Sequence, residues 1–196
     1  MKHSPARGFT LPELMIVVAL IGVVLMLAGP SFSDFVAVQR LKSVNASLVT
    51  DVQFARSEAA SRGRQVFMQF KSAASGDLGC YTIYVDPANT RDRCDCTKAP
   101  GSACPPGTDE IRTVQYGASQ GVSLTVVSEE DDFSFHPLTG GIYFDPADVV
   151  RPLPKPFAAD TTISGGRSLR VSVGVGGRPS VCAPSGSIVP GGYPAC

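Results

Sequence analysis

The residues of this chain with the most chemical capacity are its six cysteines, its two histidines, a short carboxylate run, a late set of arginines and one isolated glutamate. The cysteines are Cys80, Cys94, Cys96, Cys104, Cys182 and Cys196. They lack paired C-x-x-C spacing and have no nearby histidine, so zinc is a poor reading and no metal ligand set is assigned. Cysteines at this density behind an export-like start fit an oxidising compartment and disulfides. Cys182 and Cys196 flank a Pro/Gly-rich tail and are expected to pin it. A bridge between Cys94 and Cys96 is sterically poor, so each is expected to pair with Cys80 or Cys104. Each bridge contributes about 2–4 kcal/mol for loops of this size.

Glu129-Glu130-Asp131-Asp132 puts four carboxylates in a row. A hard cation needs converging oxygens, and consecutive turn residues do not supply them, so this run reads as a solvated hairpin tip. His3 and His136 have no Ser, Asp or Cys arrangement around them. His136 precedes Pro137 at an expected strand end and reads as structural or exposed. Gly174-Val175-Gly176-Gly177 leads towards Pro179 rather than into a helix, which disfavours a cofactor loop. No nucleophile, base and orienter come together, so the chain is not read as an enzyme and no cofactor is expected. Arg167, Arg170 and Arg178, with Arg151 and Lys155, form a local phosphate-contacting patch, a contact for another protein or a set of solvated strand residues. The formal net charge of zero, 17 basic against 17 acidic residues, argues against a protein wholly devoted to coating nucleic acid.

Glu13 stands alone at the head of a long apolar run. Residues 14–33 carry no charge. Twenty residues of helix rise roughly 30 Å, about the thickness of a bilayer core. Lys2 and Arg7 precede the run, and positive charge there keeps that end cytoplasmic. A removed secretory signal is disfavoured, because Pro30 follows Ala28-Gly29 and the run exceeds the usual apolar region. A carboxylate at the edge of such a helix costs on the order of 2.5–3.5 kcal/mol if pushed to mid-membrane, so it needs a partner or must reach water.

Pro30 is expected to kink or locally unwind the helix. Beyond it Leu41, Val44, Leu48, Val52, Ala55 and Ala59 recur at helical steps and predict a core-facing stripe. Arg40, Lys42, Asn45, Asp51, Arg56, Glu58 and Arg62 are expected on the opposite, polar face, and Gly63 is a reasonable stop. Strands are expected over 65–70, 80–85, 111–116, 122–127, 133–136, 142–144 and 168–175, with a short strand or extended tail after Pro179. Residues 86–110 read as a long loop that needs staples or a function. The expected class is α+β: a long N-terminal helix, membrane-spanning in its first half and amphipathic in its second, packed on an antiparallel β domain. The divisions are 1–8 leader, 9–33 apolar helix, 34–63 its amphipathic continuation and 64–196 a β-rich globular domain.

Gly8-Phe9-Thr10-Leu11-Pro12-Glu13-Leu14, with its short basic leader and apolar continuation, resembles the processing site of type IV prepilins and type II secretion pseudopilins. The resemblance implies that a prepilin peptidase cuts between Gly8 and Phe9 on the cytoplasmic side and methylates Phe9. The helix is then retained. Glu13 is the family's glutamate five residues into the mature chain, and it implies pairing with a neighbouring subunit's amine during assembly. Pro12 departs from the usual Ile or Val but sits in the first turn, where a missing N–H costs little. Arg56-Ser57-Glu58-Ala59 resembles a segment of the FimT/GspH-like subgroup. Gly177-Arg178 resembles part of a Gly-Arg-x-Arg element that this subgroup uses to contact DNA, with Ser180 in place of the second Arg. The resemblance spans residues 7–62, 133–140 and 166–182. It implies a pilin-like fold and a single-pass protein of the bacterial inner membrane, its bulk periplasmic, that later joins a pilus or pseudopilus. Implied partners are other pilin subunits, prepilin peptidase, the inner membrane and, in the alternative role of an uptake receptor, DNA.

Overall fold

A computed structural model of the chain describes residues 9–73, 79–87, 92–117, 121–144, 151–152, 155–188 and 191–196, with backbone alone at 25, 27–31, 151 and 152. The chain opens with one helix, α1, Leu11–Arg62. Its first turn carries Glu13 and its last turn Arg62, each complementing the helix dipole. Gly63 follows at φ +62°, the left-handed setting that a glycine adopts without strain at a helix end. The helical assignment runs through Pro30, so the local unwinding expected there does not occur.

Two compact units divide the chain, Met1–Ala37 and Val38–Cys196. In the first, the side chains of Leu14, Met15, Ile16, Val18, Leu20, Ile21, Val23 and Val24 are exposed. The membrane-spanning half expected for this helix is not seen, since among the described residues no helix is long and apolar enough to cross a membrane.

The second unit is a helix on two antiparallel sheets. One sheet has six strands in the order β3-β2-β1-β5-β6-β7, and the other has four in the order β10-β9-β8-β4. The first comprises β1 Val66–Lys71, β2 Gly79–Val85, β3 Asp109–Tyr116, β5 Asp132–Phe135, β6 Ile142–Phe144 and β7 Arg151–Pro152. The second comprises β4 Val122–Val126, β8 Phe157–Ile163, β9 Arg167–Val173 and β10 Pro179–Cys182. The sequence predicts one β domain here but not β8, and without β8 the division into two sheets is hidden. Ala158, Ala159 and Asp160 are weak strand formers. Yet the strand alternates buried and half-buried positions throughout, and its partners β4 and β9 supply the missing propensity.

The core lies where both sheets meet the helix. Leu48, Val52, Ala55 and Ala59 of α1 pack with Met68, Phe70, Tyr81, Phe133, Phe135, Phe157 and Val171. Phe157 joins the layers, its ring 4.6 Å from that of Phe70 and 4.8 Å from that of Phe133.

Two of the residues assigned to the polar helix face are in fact in this core. Asn45 and Asp51 are each 1% exposed. They lie at helical spacing from Leu41, Leu48 and Val52, so the backbone turns them inward whatever their polarity. Each finds partners there, although Asn45 Oδ1 is left without one. Asn45 Nδ2 donates to the Leu41 carbonyl at 2.8 Å and to Thr161 Oγ1 at 2.5 Å. Asp51 accepts from the Tyr81 hydroxyl at 2.6 Å and from Arg112 at 2.7 Å. Burial, with Tyr116 and Asp51 nearby, pushes the Tyr81 phenol far above its ordinary range, so it stays a proton donor.

Candidate functional site

At the N-terminal end, the expected cleavage position Gly8 and the rest of the 1–8 leader lie outside the described residues. Phe9 is 82% exposed. The helix opens with the Leu14 amide bonded to the Thr10 carbonyl at 3.2 Å, which makes Thr10 the cap. Glu13 then stands three positions on, and its Oε2 accepts from the Thr10 backbone N–H at 3.5 Å. This is the reach-back half of a capping box, long but correctly directed. The carboxylate that composition made conspicuous thus has a local task in holding the first turn.

The cysteines form three bridges: Cys80–Cys96, Cys94–Cys104 and Cys182–Cys196. The first ties β2 to the loop that follows it, and the second closes that loop on itself. Glu110 completes the staple, accepting from the Gly101 amide at 2.8 Å, the Ala103 amide at 2.9 Å and the Thr113 hydroxyl at 2.7 Å. Partial burial alone would raise the Glu110 carboxyl; these donors outweigh it and hold the group below the ordinary carboxylate range. The third bridge closes the tail, where the Cys196 amide also donates to the Ala183 carbonyl at 3.0 Å.

The carboxylate run is not a free tip. Glu129 pairs with Lys155 at 3.0 Å, and Arg93 bonds both Asp131 and Asp132. Asp132 is the first residue of β5. His136 is a turn residue: its Nδ1 accepts from the Leu138 and Thr139 amides, each at 3.3 Å, and its ring lies 5.1 Å from that of Tyr143. Among the described residues no cluster of His, Cys, Asp or Glu is arranged to hold a metal ion.

The late arginines are separated rather than gathered. Arg170 lies mid-β9 and bonds Asp160 on β8 through two nitrogens at 2.7 and 2.9 Å. That fork geometry holds the guanidinium above its already high ordinary pKa. Arg167 begins β9, in register with Ile163. Arg178 follows the turn at the strand's other end, exposed and preceding β10. A strand of this length spans about 20 Å, so Arg167 and Arg178 occupy opposite ends of the sheet.

Residue type alone does not pick out Asn45, Asp51, Tyr81, Arg112 and Thr161 as a set. Position finds the helical pair: Asn45 completes the 41–45–48–52 row and Asp51 the 44–48–51–55 row.

A capped, glutamate-bearing helix leads into a disulfide-stapled antiparallel β domain. The comparisons with known proteins give this architecture a family. The prokaryotic N-terminal methylation motif matches residues 3–29, and the type II transport protein GspH model matches residues 45–177, more than half of the chain. The chain therefore belongs to the GspH family of minor pilins and pseudopilins, which are structural subunits and not enzymes. Among solved structures, the type IV minor pilin FimU of Pseudomonas aeruginosa is similar at 17% identity and a TM-score of 0.46, over 75% of this chain and 94% of that one.

Proposed function

We propose that the chain is made as a prepilin, cut between Gly8 and Phe9 by a prepilin peptidase and methylated on Phe9. It is then drawn from the bacterial inner membrane, its bulk periplasmic, into a type IV pilus or type II secretion pseudopilus. The observation that carries this reading is the pairing, on one chain, of the methylation motif at 3–29 with the family domain at 45–177. The exposed apolar side chains from Leu14 to Val24 support it, because a bare apolar helix surface needs lipid or neighbouring helices around it.

The test is the mass of the protein purified from cells with and without a prepilin peptidase. With the enzyme, the expected N-terminus is Phe9 carrying one added methyl group. Recovery of an intact residue 1, or of a cut after Ala28, sinks the proposal.

A receptor role towards DNA has less behind it. Arg170 is committed to Asp160 and Lys155 to Glu129, which among the described residues leaves no continuous basic stripe of the kind a phosphate backbone needs.

A further inference from the structure

Between α1, the turn joining β5 to β6 and the start of β10 lies an open groove of about 650 Å³. Gln53, Arg56, Ser57, Leu138, Thr139 and Arg178 line it. Two guanidiniums therefore border one concave space. Arg62, Arg93, Arg112 and Arg170 each have a carboxylate. Among the described residues Arg56 and Arg178 have none, and Glu58, the nearest acid on the helix, is taken by Arg62.

The backbone beneath them is built tightly. Gly140 has φ +65°, and a Cβ there would lie 2.6 Å from Arg56 Nε, so the guanidinium rests directly on this turn. Gly177 has φ +75°, and a Cβ there would overlap the Gly140 carbonyl oxygen, so the two turns touch backbone to backbone. The Ile142 amide donates to the Val175 carbonyl at 3.0 Å, and the Gly174 amide donates to the Arg178 carbonyl at 3.0 Å. These bonds hold the Arg178 backbone beside the turn on which the Arg56 guanidinium rests. Leu138, 90% exposed, forms an apolar part of the wall.

Two uncompensated guanidiniums in a concavity attract an anion, and the planar fork of each matches a carboxylate. A nucleic-acid strand would require more cations in line than this face presents. Leu138 beside the charges offers an apolar contact that the side chain of a protein segment can cover and a phosphate backbone cannot. We propose that this groove docks a segment of a partner protein that carries a carboxylate next to an apolar side chain. The site uses only residues of the Val38–Cys196 unit, so it stands apart from the reading of the N-terminal helix.

The test uses the full chain in detergent micelles. The probes are a fluorescent octapeptide of alternating glutamate and leucine, its glutamine counterpart and a short DNA duplex. The glutamate peptide is expected to bind saturably and to shift the side-chain N–H resonances of Arg56 and Arg178. Arg56→Gln and Arg178→Gln are each expected to weaken it about tenfold, with thermal melting unchanged. The resonance shifts are read on the unsubstituted chain, so they stand even if a variant folds poorly. Equal binding of the glutamine peptide, or unshifted arginine resonances at saturating glutamate peptide, overturns the proposal. Duplex binding that shifts both arginines in the absence of peptide binding overturns it in favour of nucleic acid. N-terminal cleavage and methylation are expected to be the same in every case, so the two proposals fail separately.

Discussion

At position 51 an aspartate takes a place that helical spacing reserves for the core. The side chain is 2% exposed while its partner Arg112 is 50% exposed, so the carboxylate is desolvated far more than the cation it meets. Tyr81, fully buried, supplies the second donor. Removing the carboxylate strands a buried hydroxyl and leaves a void. Asp51→Ala is therefore expected to lower unfolding stability by about 2–3 kcal/mol, read as a drop in the denaturation midpoint with the secondary structure retained. An unchanged midpoint would mean that water replaces the carboxylate without loss. Sorting residues by polarity hides this pair, because burial is set by angular position first and partners are found afterwards. Asn45 makes the same point, its partner Thr161 lying on a strand the sequence does not announce.

Strand β8 carries the argument at the scale of elements. Its alanines and aspartate give it little tendency to extend alone, but it is the central link between β4 and β9. Long-range pairing of that kind leaves no local trace. By contrast, β1 and β6 are legible because alternating or aromatic residues sit between clear breakers. Phe157, at the head of β8, is 1% exposed and reaches into the other sheet's aromatic cluster. Phe157→Ala is expected to cost about 3–5 kcal/mol, since the cavity opens between two layers that cannot both collapse. Equilibrium denaturation gives the value, and a loss below about 1 kcal/mol would show that the sheets close over the gap. The loop after β2 does need the staples its length implies, but cysteine spacing rules out only the Cys94–Cys96 bridge. Choosing between the two remaining pairings requires the fold.

For the whole molecule, the readable part is the first turn of α1 and the residues preceding it, because the methylation motif matched there is a local sequence pattern. Glu13 is the residue whose two tasks separate at this scale. Its bond to the Thr10 amide is local and weak at 3.5 Å, whereas pairing with a neighbour's amine would act between subunits. Glu13→Ala is expected to leave cleavage after Gly8 intact and to reduce recovery of the subunit in sheared filaments at least about tenfold, the worth of one charged hydrogen bond in an apolar setting. Immunoblotting of filament and membrane fractions makes the comparison. Filaments carrying the variant at the normal level would assign the glutamate to the cap alone.

The buried polar pairs of α1 have a mechanical consequence. Asn45 is fastened to Thr161 in the four-stranded sheet, and Asp51 to Tyr81 in the six-stranded sheet. The two fastenings stand about 9 Å apart along the helix. A pull on this part of the helix is therefore shared between both sheets at once, and neither layer can be sheared off while the other still grips. Were this helix pulled, the two bonds would pass load into both layers alongside the apolar packing of Leu48, Val52, Ala55 and Ala59.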